Sequence, residues 1–181
     1  MQKIENIIKK TFRTLFIIFL LLVLNVHSKA LSSSLFTKDC LKNNKQYFVK
    51  AVFDGDTILL DNKQKIRLLG IDAFEHDQLP YGQTSKDFLT KLALNKNVCI
   101  ETDVDEKDVY GRTLGYIFIM DNFVNEELLK NGQALLYDFP PNIKYISKLK
   151  DAQIYARKNM IGVWEKQDYI PETPYQYRHK K

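Results

Sequence analysis

The sequence has few of the residues that form zinc sites. Its 181 residues include only two cysteines and three histidines. The cysteines, Cys40 and Cys99, are widely separated and have no histidine near them. Structural zinc sites need several Cys or His ligands at short spacings. The composition therefore argues against a zinc protein.

A long hydrophobic run is also missing. The longest, Leu15–Leu24, has ten residues, whereas a membrane-spanning helix needs about 20. The run follows a basic start and precedes the small residues Ser28 and Ala30, as in a cleaved export signal. We predict a signal peptide over residues 1–30 and a periplasmic or secreted protein. An uncleaved anchor, with the protein membrane-tethered and facing outward, stays open, and the two are distinguished by whether the mature chain begins near Leu31.

An exported chain with two cysteines favours a disulfide between Cys40 and Cys99, since oxidising compartments preserve disulfides. Two isolated thiols are the alternative.

Outside the leader there is little excess of positive charge. The formal net charge is +5, but residues 1–30 carry +4 of it, and the remainder has 22 basic and 21 acidic groups. Binding to nucleic acid through the charge of the whole protein is therefore excluded. Any such contact would need a local basic patch.

Alternating apolar and polar residues predict five short strands, and helical spacing predicts three helices. After a polar lead-in at residues 31–45, we expect one domain over 46–165 and a C-terminal tail over 166–181 without assigned structure. This order suggests a five-stranded OB-type barrel with three helices packed around it, an α+β fold. The predicted strands are 46–53, 57–60, 65–71, 97–102 and 113–120, and the predicted helices are 83–95, 126–131 with Asn125 as N-cap, and 144–159.

The chemistry is concentrated in residues 53–75. Three of its carboxylates, Asp56, Asp72 and Glu75, and its one arginine, Arg67, are the candidate site residues. Carboxylates repel one another, so a fold that gathers them usually has a cation to offset the cost. Arginine is a planar fork of donors suited to phosphate. The combination indicates a metal-dependent nuclease, although an Asp-Gly pair alone is more often just a turn.

The spacing of Arg67 and Asp72 presents a difficulty. Five residues along one strand place two side chains on opposite faces. Gly70 lies between them, and an isolated strand glycine often marks a bulge that resets the alternation. We therefore predict a bulge at Gly70, with both side chains facing one cleft.

Only oxygen ligands are available for a metal in this region, which favours Ca²⁺ or Mg²⁺. Ca²⁺ suits an exported protein better. His76 adjoins Glu75 but has no evident orienting partner, so we interpret it as an exposed loop residue. Arg112 has two open interpretations, a salt bridge with the acidic loop before it or a second cationic clamp on a phosphate.

Five separated motifs over residues 46–165 together resemble the staphylococcal nuclease (thermonuclease) family. They are Asp54-Gly55-Asp56-Thr57, Arg67 to Glu75, Tyr81-Gly82, Asp108-Val109-Tyr110-Gly111-Arg112, and Val124 to Ala134, and the final helix reaching Gly162-Val163-Trp164 agrees as well. The resemblance implies a Ca²⁺-dependent endonuclease that cleaves DNA and RNA, prefers single strands and leaves 3′-phosphate ends. We expect a monomer with no protein partner, and membrane contact only if the leader is uncleaved.

The resemblance also implies a role for each matching position. Asp56, Asp72 and the backbone carbonyl of Ala73 would bind Ca²⁺. Glu75 would orient or deprotonate the attacking water. Arg67 and Arg112 would bind the phosphate and neutralise the charge of the transition state. Tyr110 and Tyr137 would contact the nucleotide.

The sequence departs from the family at Ala73-Phe74, where Thr-Pro is common. A carbonyl ligand survives this change, but the rigid proline turn does not, so we expect Glu75 to be held less firmly and the enzyme to be slower. The alternative function is a noncatalytic nucleic-acid-binding OB module that keeps the scaffold.

Overall fold

The computed structural model describes residues 16–17, 46–166 and 172–180. Apart from residues 16 and 17, the predicted signal peptide and lead-in lie outside these residues. Cys40 lies outside them as well. The chain divides into a unit of residues 1–39 and a unit of residues 40–181, and the second contains the barrel. In the described ranges, no helix has the length and apolar character needed to cross a membrane.

Five strands close into the predicted barrel: β1 (Gln46–Val52), β2 (Thr57–Leu60), β3 (Lys65–Leu68), β5 (Asn97–Glu101) and β6 (Thr113–Ile119). Neighbours pair antiparallel in the order β3-β2-β1-β5-β6, and a parallel pairing of β3 with β6 closes the ring. Alternate positions point inward, so Ile58, Leu60, Ile66 and Leu68 are almost completely buried. Burial of this apolar set holds the barrel closed, and the OB-type α+β fold is confirmed.

The predicted third strand is two strands rather than one with a bulge. β3 ends at Leu68, and β4 (Ile71–Ala73) pairs with β8 (Ala134–Leu136) instead of the barrel. Between them Gly70 has φ +74°, and a Cβ there would lie 2.3 Å from Leu149 Cδ1. Glycine is required because it adopts this conformation without strain and leaves room for Leu149. The predicted bulge was therefore wrong, since the chain turns and changes partners.

In residues 46–166 three helices pack around the barrel as predicted, and residues 172–180 contain a further helix that was not predicted. α1 (Tyr81–Ala93) begins two residues earlier than expected, α2 (Val124–Lys130) follows the two-residue strand β7 (Asn122–Phe123), and α3 (Ile146–Lys158) precedes a 3₁₀ turn at Gly162–Trp164. The tail contains α4 (Pro174–His179), which starts with a capping box between Thr173 and Gln176. The tail is therefore structured at residues to which the sequence assigns no element.

Asn125 does not cap α2, because the helix begins at Val124 and Phe123 is the N-cap. Its side chain is completely buried. The amide oxygen accepts from the Ile117 backbone N–H at 2.9 Å, and Nδ2 donates to the Leu69 carbonyl at 2.8 Å. Asn125 thus joins α2 to β6 and to the turn that separates β3 from β4.

Replacing Asn125 with Ala should lower the free energy of unfolding by about 3 kcal/mol, because two buried backbone groups lose their partners. Urea unfolding of the variant and the wild type measures this difference. Asn159→Ala is the matched control, since the Asn159 amide bonds at an exposed helix end and exposed substitutions usually change stability by less than about 0.5 kcal/mol. Similar stabilities for the two variants would contradict the role of Asn125.

Candidate active site

Asp56 and Asp72 meet at one guanidinium group. Asp56 lies in the β1–β2 turn and Asp72 in β4, and both are buried. Arg67 Nη2 is 3.1 Å from Asp56 Oδ2 and 3.0 Å from Asp72 Oδ1. Asp56 also accepts hydrogen bonds from the Ala73 amide at 2.8 Å and the Thr57 hydroxyl at 3.0 Å. The two carboxylates predicted to share a cleft therefore do so, with Arg67 between them.

Arg67 reaches the acids because of the turn at Gly70. Its Nη1 donates to the carbonyls of Leu68 at 2.7 Å and Ile71 at 2.8 Å, on either side of that turn. The guanidinium thus closes the turn with one nitrogen and contacts the carboxylates with the other. Arg67 is consequently a structural residue as well as a candidate for binding phosphate.

Glu75 lies at the cluster with a partner that sequence reasoning missed. Arg178 of α4 donates from Nη1 to Glu75 Oε1 at 2.7 Å and from Nη2 to Asp72 Oδ2 at 2.9 Å. A third, longer contact joins Nη1 to Asp72 Oδ1 at 3.2 Å. The basic character of the tail was visible in the sequence, but no local signal relates it to residues about a hundred positions earlier.

The segment before Glu75 is fixed by burial rather than by a proline. Phe74 is 1% exposed and packs in a small cluster with Leu135 and Val163. Its ring lies 5.2 Å from that of Tyr81. The Glu75 amide also donates to Gln78 Oε1 at 2.9 Å. These contacts stabilise the loop without the proline that is common at this position in the family. The sequence comparison did not predict them.

For Ala73, the described contact with the cluster is through its amide, so its carbonyl as a metal ligand stays a prediction. His76 is exposed.

Arg112 forms the salt bridge that was one of its two interpretations. Its Nε is 2.6 Å from Asp108 Oδ2, and Asp108 Oδ1 accepts from the amides of Tyr110 and Arg112 at 2.9 Å each. The parallel pairing of β3 with β6 places Thr113 opposite Ile66. Arg112 therefore lies immediately before β6, the neighbour of the strand that carries Arg67. In the described ranges no contact joins Arg112 to the carboxylate cluster, and its role as a clamp stays a prediction.

The two predicted nucleotide-contacting tyrosines differ in exposure. Tyr110 is 82% exposed, with its ring 5.7 Å from the Arg112 guanidinium carbon. Tyr137 is half-buried, stacks on Phe139 with ring centroids 6.0 Å apart, and donates its amide to the Gly70 carbonyl at 3.1 Å. Tyr110 therefore offers an open aromatic face, whereas Tyr137 is partly covered beside the turn that holds Arg67.

The cluster has an excess of negative charge. Asp54 joins it through the Asp56 amide, which donates to Asp54 Oδ1 at 2.9 Å. Burial, the larger cause, and the neighbouring Asp56 together raise the pKa of Asp54 to about 6, against the opposing effect of Arg67. Burial likewise raises the pKa of Asp72, although Arg178 and Arg67 oppose the shift. Asp54 was noted in the sequence only as part of the turn.

The donor chemistry of this cluster suits a hard divalent cation. Four carboxylates against two guanidinium groups leave two excess negative charges, and oxygen is the ligand that Ca²⁺ and Mg²⁺ prefer. As the side chains stand, no group of three or more His, Cys, Asp or Glu in residues 16–17, 46–166 and 172–180 has a metal-binding arrangement. Arg67 and Arg178 bridge the carboxylates instead, so the cluster fits a cation by charge and ligand type but would have to rearrange around it.

Cys99 is disulfide-bonded. Because Cys40 lies outside the described residues, its pairing with Cys99 stays a prediction.

The fold and the cluster define the class of this protein. It is an OB-fold protein in which buried carboxylates and arginines meet in one cleft. Comparison with known proteins then assigns the family. A family profile described as "Staphylococcal nuclease homologue" matches residues 65–166. This chain belongs to the staphylococcal nuclease-like family.

Relatives from several bacteria agree with this assignment. The chain is 38% identical over 128 residues to a thermonuclease of Staphylococcus intermedius, covering 66% of this chain and 76% of the relative. It is 37% identical over 130 residues to a thermonuclease of Staphylococcus hyicus, covering 67% and 77%. It is also 32% identical over 151 residues to the endonuclease YhcR of Bacillus subtilis, which covers 74% of this chain but 12% of that much longer protein.

Replacing Asp108 with Asn should reduce the dependence of stability on pH in the acid range. Burial alone would raise the pKa of Asp108, but the hydrogen bonds from Arg112 outweigh burial and lower that pKa below 3.8. A carboxylate with a lowered folded pKa stabilises the protein above its unfolded pKa, and this contribution is lost as pH falls through the folded value. The loss should be about 0.2–1 kcal/mol, as for other solvent-screened ion pairs.

Urea unfolding between pH 6 and pH 2 tests this expectation, with the exposed Asp151→Asn on α3 as control. Parallel stability curves for Asp108→Asn and the wild type would contradict the Asp108–Arg112 interaction.

Proposed function

We propose that this chain is an exported, Ca²⁺-dependent endonuclease that hydrolyses phosphodiester bonds of DNA and RNA, prefers single strands and leaves 3′-phosphate ends. The observation that carries the proposal is the meeting of Asp56, Asp72 and Arg67 at one point of the barrel, in a chain of the nuclease-like family. The names of the relatives, thermonuclease and endonuclease, support hydrolysis of nucleic acid.

Asp56, Asp72 and the carbonyl of Ala73 would hold the metal. When bound, a divalent cation polarises the phosphoryl group and lowers the cost of generating a nucleophile from water. The charge excess of the cluster supports this assignment. The buried position of Asp56 and Asp72 supports it as well, because water screens their charge less there.

The chain's own side chains would manage proton and charge. Glu75, whose side chain is 37% exposed, would accept a proton from the attacking water, as a carboxylate within reach of solvent can. Arg67 and Arg112 would neutralise the negative charge that increases as the phosphorus becomes five-coordinate, since preorganised donors act most strongly on developing charge. Arg112 would also stabilise the leaving oxygen.

The preference for single strands is supported by Tyr110. Its ring is open to solvent beside Arg112, and an unpaired base can stack on such a ring whatever its identity. In a duplex the base faces are already stacked on one another. Export is supported by the leader pattern and by the disulfide at Cys99, since disulfides persist in oxidising compartments.

Digestion of single-stranded DNA should require both Ca²⁺ and the carboxylate of Glu75. The wild type should cleave in millimolar Ca²⁺ and stop when a chelator is added in excess. Glu75→Gln should be slower by about 100-fold or more, as expected when a positioned general base is lost, whereas the exposed loop variant Glu106→Gln should match the wild type. A timed gel assay measures all three proteins.

Full activity in chelator would refute the metal requirement. Binding of single-stranded DNA without cleavage under every condition would instead support a noncatalytic OB module.

Arg112→Lys should lower the rate of cleavage while leaving the stability of the protein nearly unchanged. The variant keeps the charge but loses the fork of donors, so the rate should fall by about 100-fold. The melting temperature should change little, because the described contacts of this side chain are only with Asp108 and Tyr110. Arg157→Lys, a substitution of an arginine that lies over Trp164, controls for the chemical change.

Initial rates and thermal unfolding measure the two quantities. Parallel losses in rate and melting temperature for Arg112→Lys would contradict a catalytic role. Arg67 is less suitable for this test, because its bonds to the carbonyls of Leu68 and Ile71 make it part of the fold.

A further inference from the structure

The C-terminal helix α4 is docked on the loop that carries Glu75. Gln78 Nε2 donates to the Glu172 carbonyl at 3.0 Å, and Pro174 at the start of the helix is buried. The Tyr177 hydroxyl is hydrogen-bonded to Asp77. These contacts, before and within α4, place it beside the site.

Arg178 extends from this helix into the carboxylate cluster. Its guanidinium spans Asp72 and Glu75 with contacts of 2.7 to 3.2 Å. Asp72 is buried, whereas the Arg178 side chain is 39% exposed. The guanidinium therefore reaches inward from the surface and supplies positive charge where the cluster needs it.

In the proposed function, Asp72 would bind the metal and Glu75 would accept a proton from the attacking water. A lone pair that accepts a guanidinium N–H is not available to a metal ion. Two cations at the same oxygens would also repel each other strongly at this depth. A divalent ion at Asp72 and the guanidinium of Arg178 therefore compete for the same carboxylate.

We propose that α4 is an intramolecular competitor of the divalent cation, with Arg178 as its competing group. With the helix docked, Asp72 and Glu75 are occupied by the guanidinium. With the helix released, Glu75 and Asp72 Oδ2 are open to the ion and to water, while Arg67 still contacts Asp72 Oδ1. This inference rests on the metal assignment in the proposed function.

Mutual exclusion has a measurable consequence. The apparent affinity for the ion equals the intrinsic affinity multiplied by the fraction of molecules in which α4 is released. The coupling is reciprocal, so the ion must release the helix to the same extent that the helix weakens the ion. Removing the guanidinium should thus tighten Ca²⁺ binding, the opposite of what is expected if Arg178 merely held Glu75 in place for catalysis.

Calorimetric titration with CaCl₂ of the full chain tests the first consequence. Arg178→Gln should bind Ca²⁺ about fivefold tighter than the wild type or more, the lower end of the range for coupled sites. Lys150→Gln, which removes one positive charge from an exposed position of α3, controls for the change in net charge and should bind as the wild type does. Equal or weaker binding by Arg178→Gln would overturn the proposal.

Nuclear magnetic resonance tests the reciprocal consequence without any substrate. The backbone amide resonances of residues 172–180 in the wild type should shift on Ca²⁺ addition toward their positions in metal-free Arg178→Gln. Tail resonances that stay unchanged at saturating Ca²⁺ would overturn the proposal. If no variant binds Ca²⁺, the metal assignment fails and the competition with it. If all bind equally, only the competition fails.

Discussion

Mutual repulsion among buried carboxylates is the constraint on which the rest of this structure depends. Asp54 and Asp56 come from one turn, Asp72 from β4 and Glu75 from the loop after it, and the fold brings them together. Like charges at such distances are tolerated only with opposite charge between them. Arg67 and Arg178 supply it here, and the excess that remains is what makes the site a candidate for a divalent ion.

The turn at Gly70 shows how local conformation serves that constraint. By changing partners there, the chain directs Asp72 and Arg67 into one cleft, although five residues separate them. Asn125 then fixes the turn from the side of α2 through the Leu69 carbonyl. A substitution at either position would therefore affect the site without touching a catalytic group.

The barrel and most of the site could be predicted because their signals are local. Alternation along short strands predicted the barrel, and the concentration of Asp56, Arg67 and Asp72 within residues 53–75 indicated the site, although their spacing alone did not place them on one face. The split of the third strand could not be predicted, since a glycine with positive φ is compatible with a bulge or a turn. Asn125 was misassigned because an asparagine before acidic helical residues is typical of an N-cap, whereas its actual partners are distant in sequence.

Arg178 lay beyond sequence reasoning for a different reason. A helix of six residues is marginal by itself, so its formation depends on docking to residues about a hundred positions away. Phe74 is similar, since its burial against Leu135 and Val163 could not be inferred from the loss of a proline.

A crystal structure of the full chain grown in Ca²⁺ tests the central claim most directly. The account predicts a cation bound by the carboxylates of Asp56 and Asp72 at the Ca²⁺–oxygen distances of about 2.3–2.6 Å, with Arg178 withdrawn from Asp72. A structure at saturating Ca²⁺ with no cation at these carboxylates, and with Arg178 still bridging Asp72 and Glu75, would contradict it.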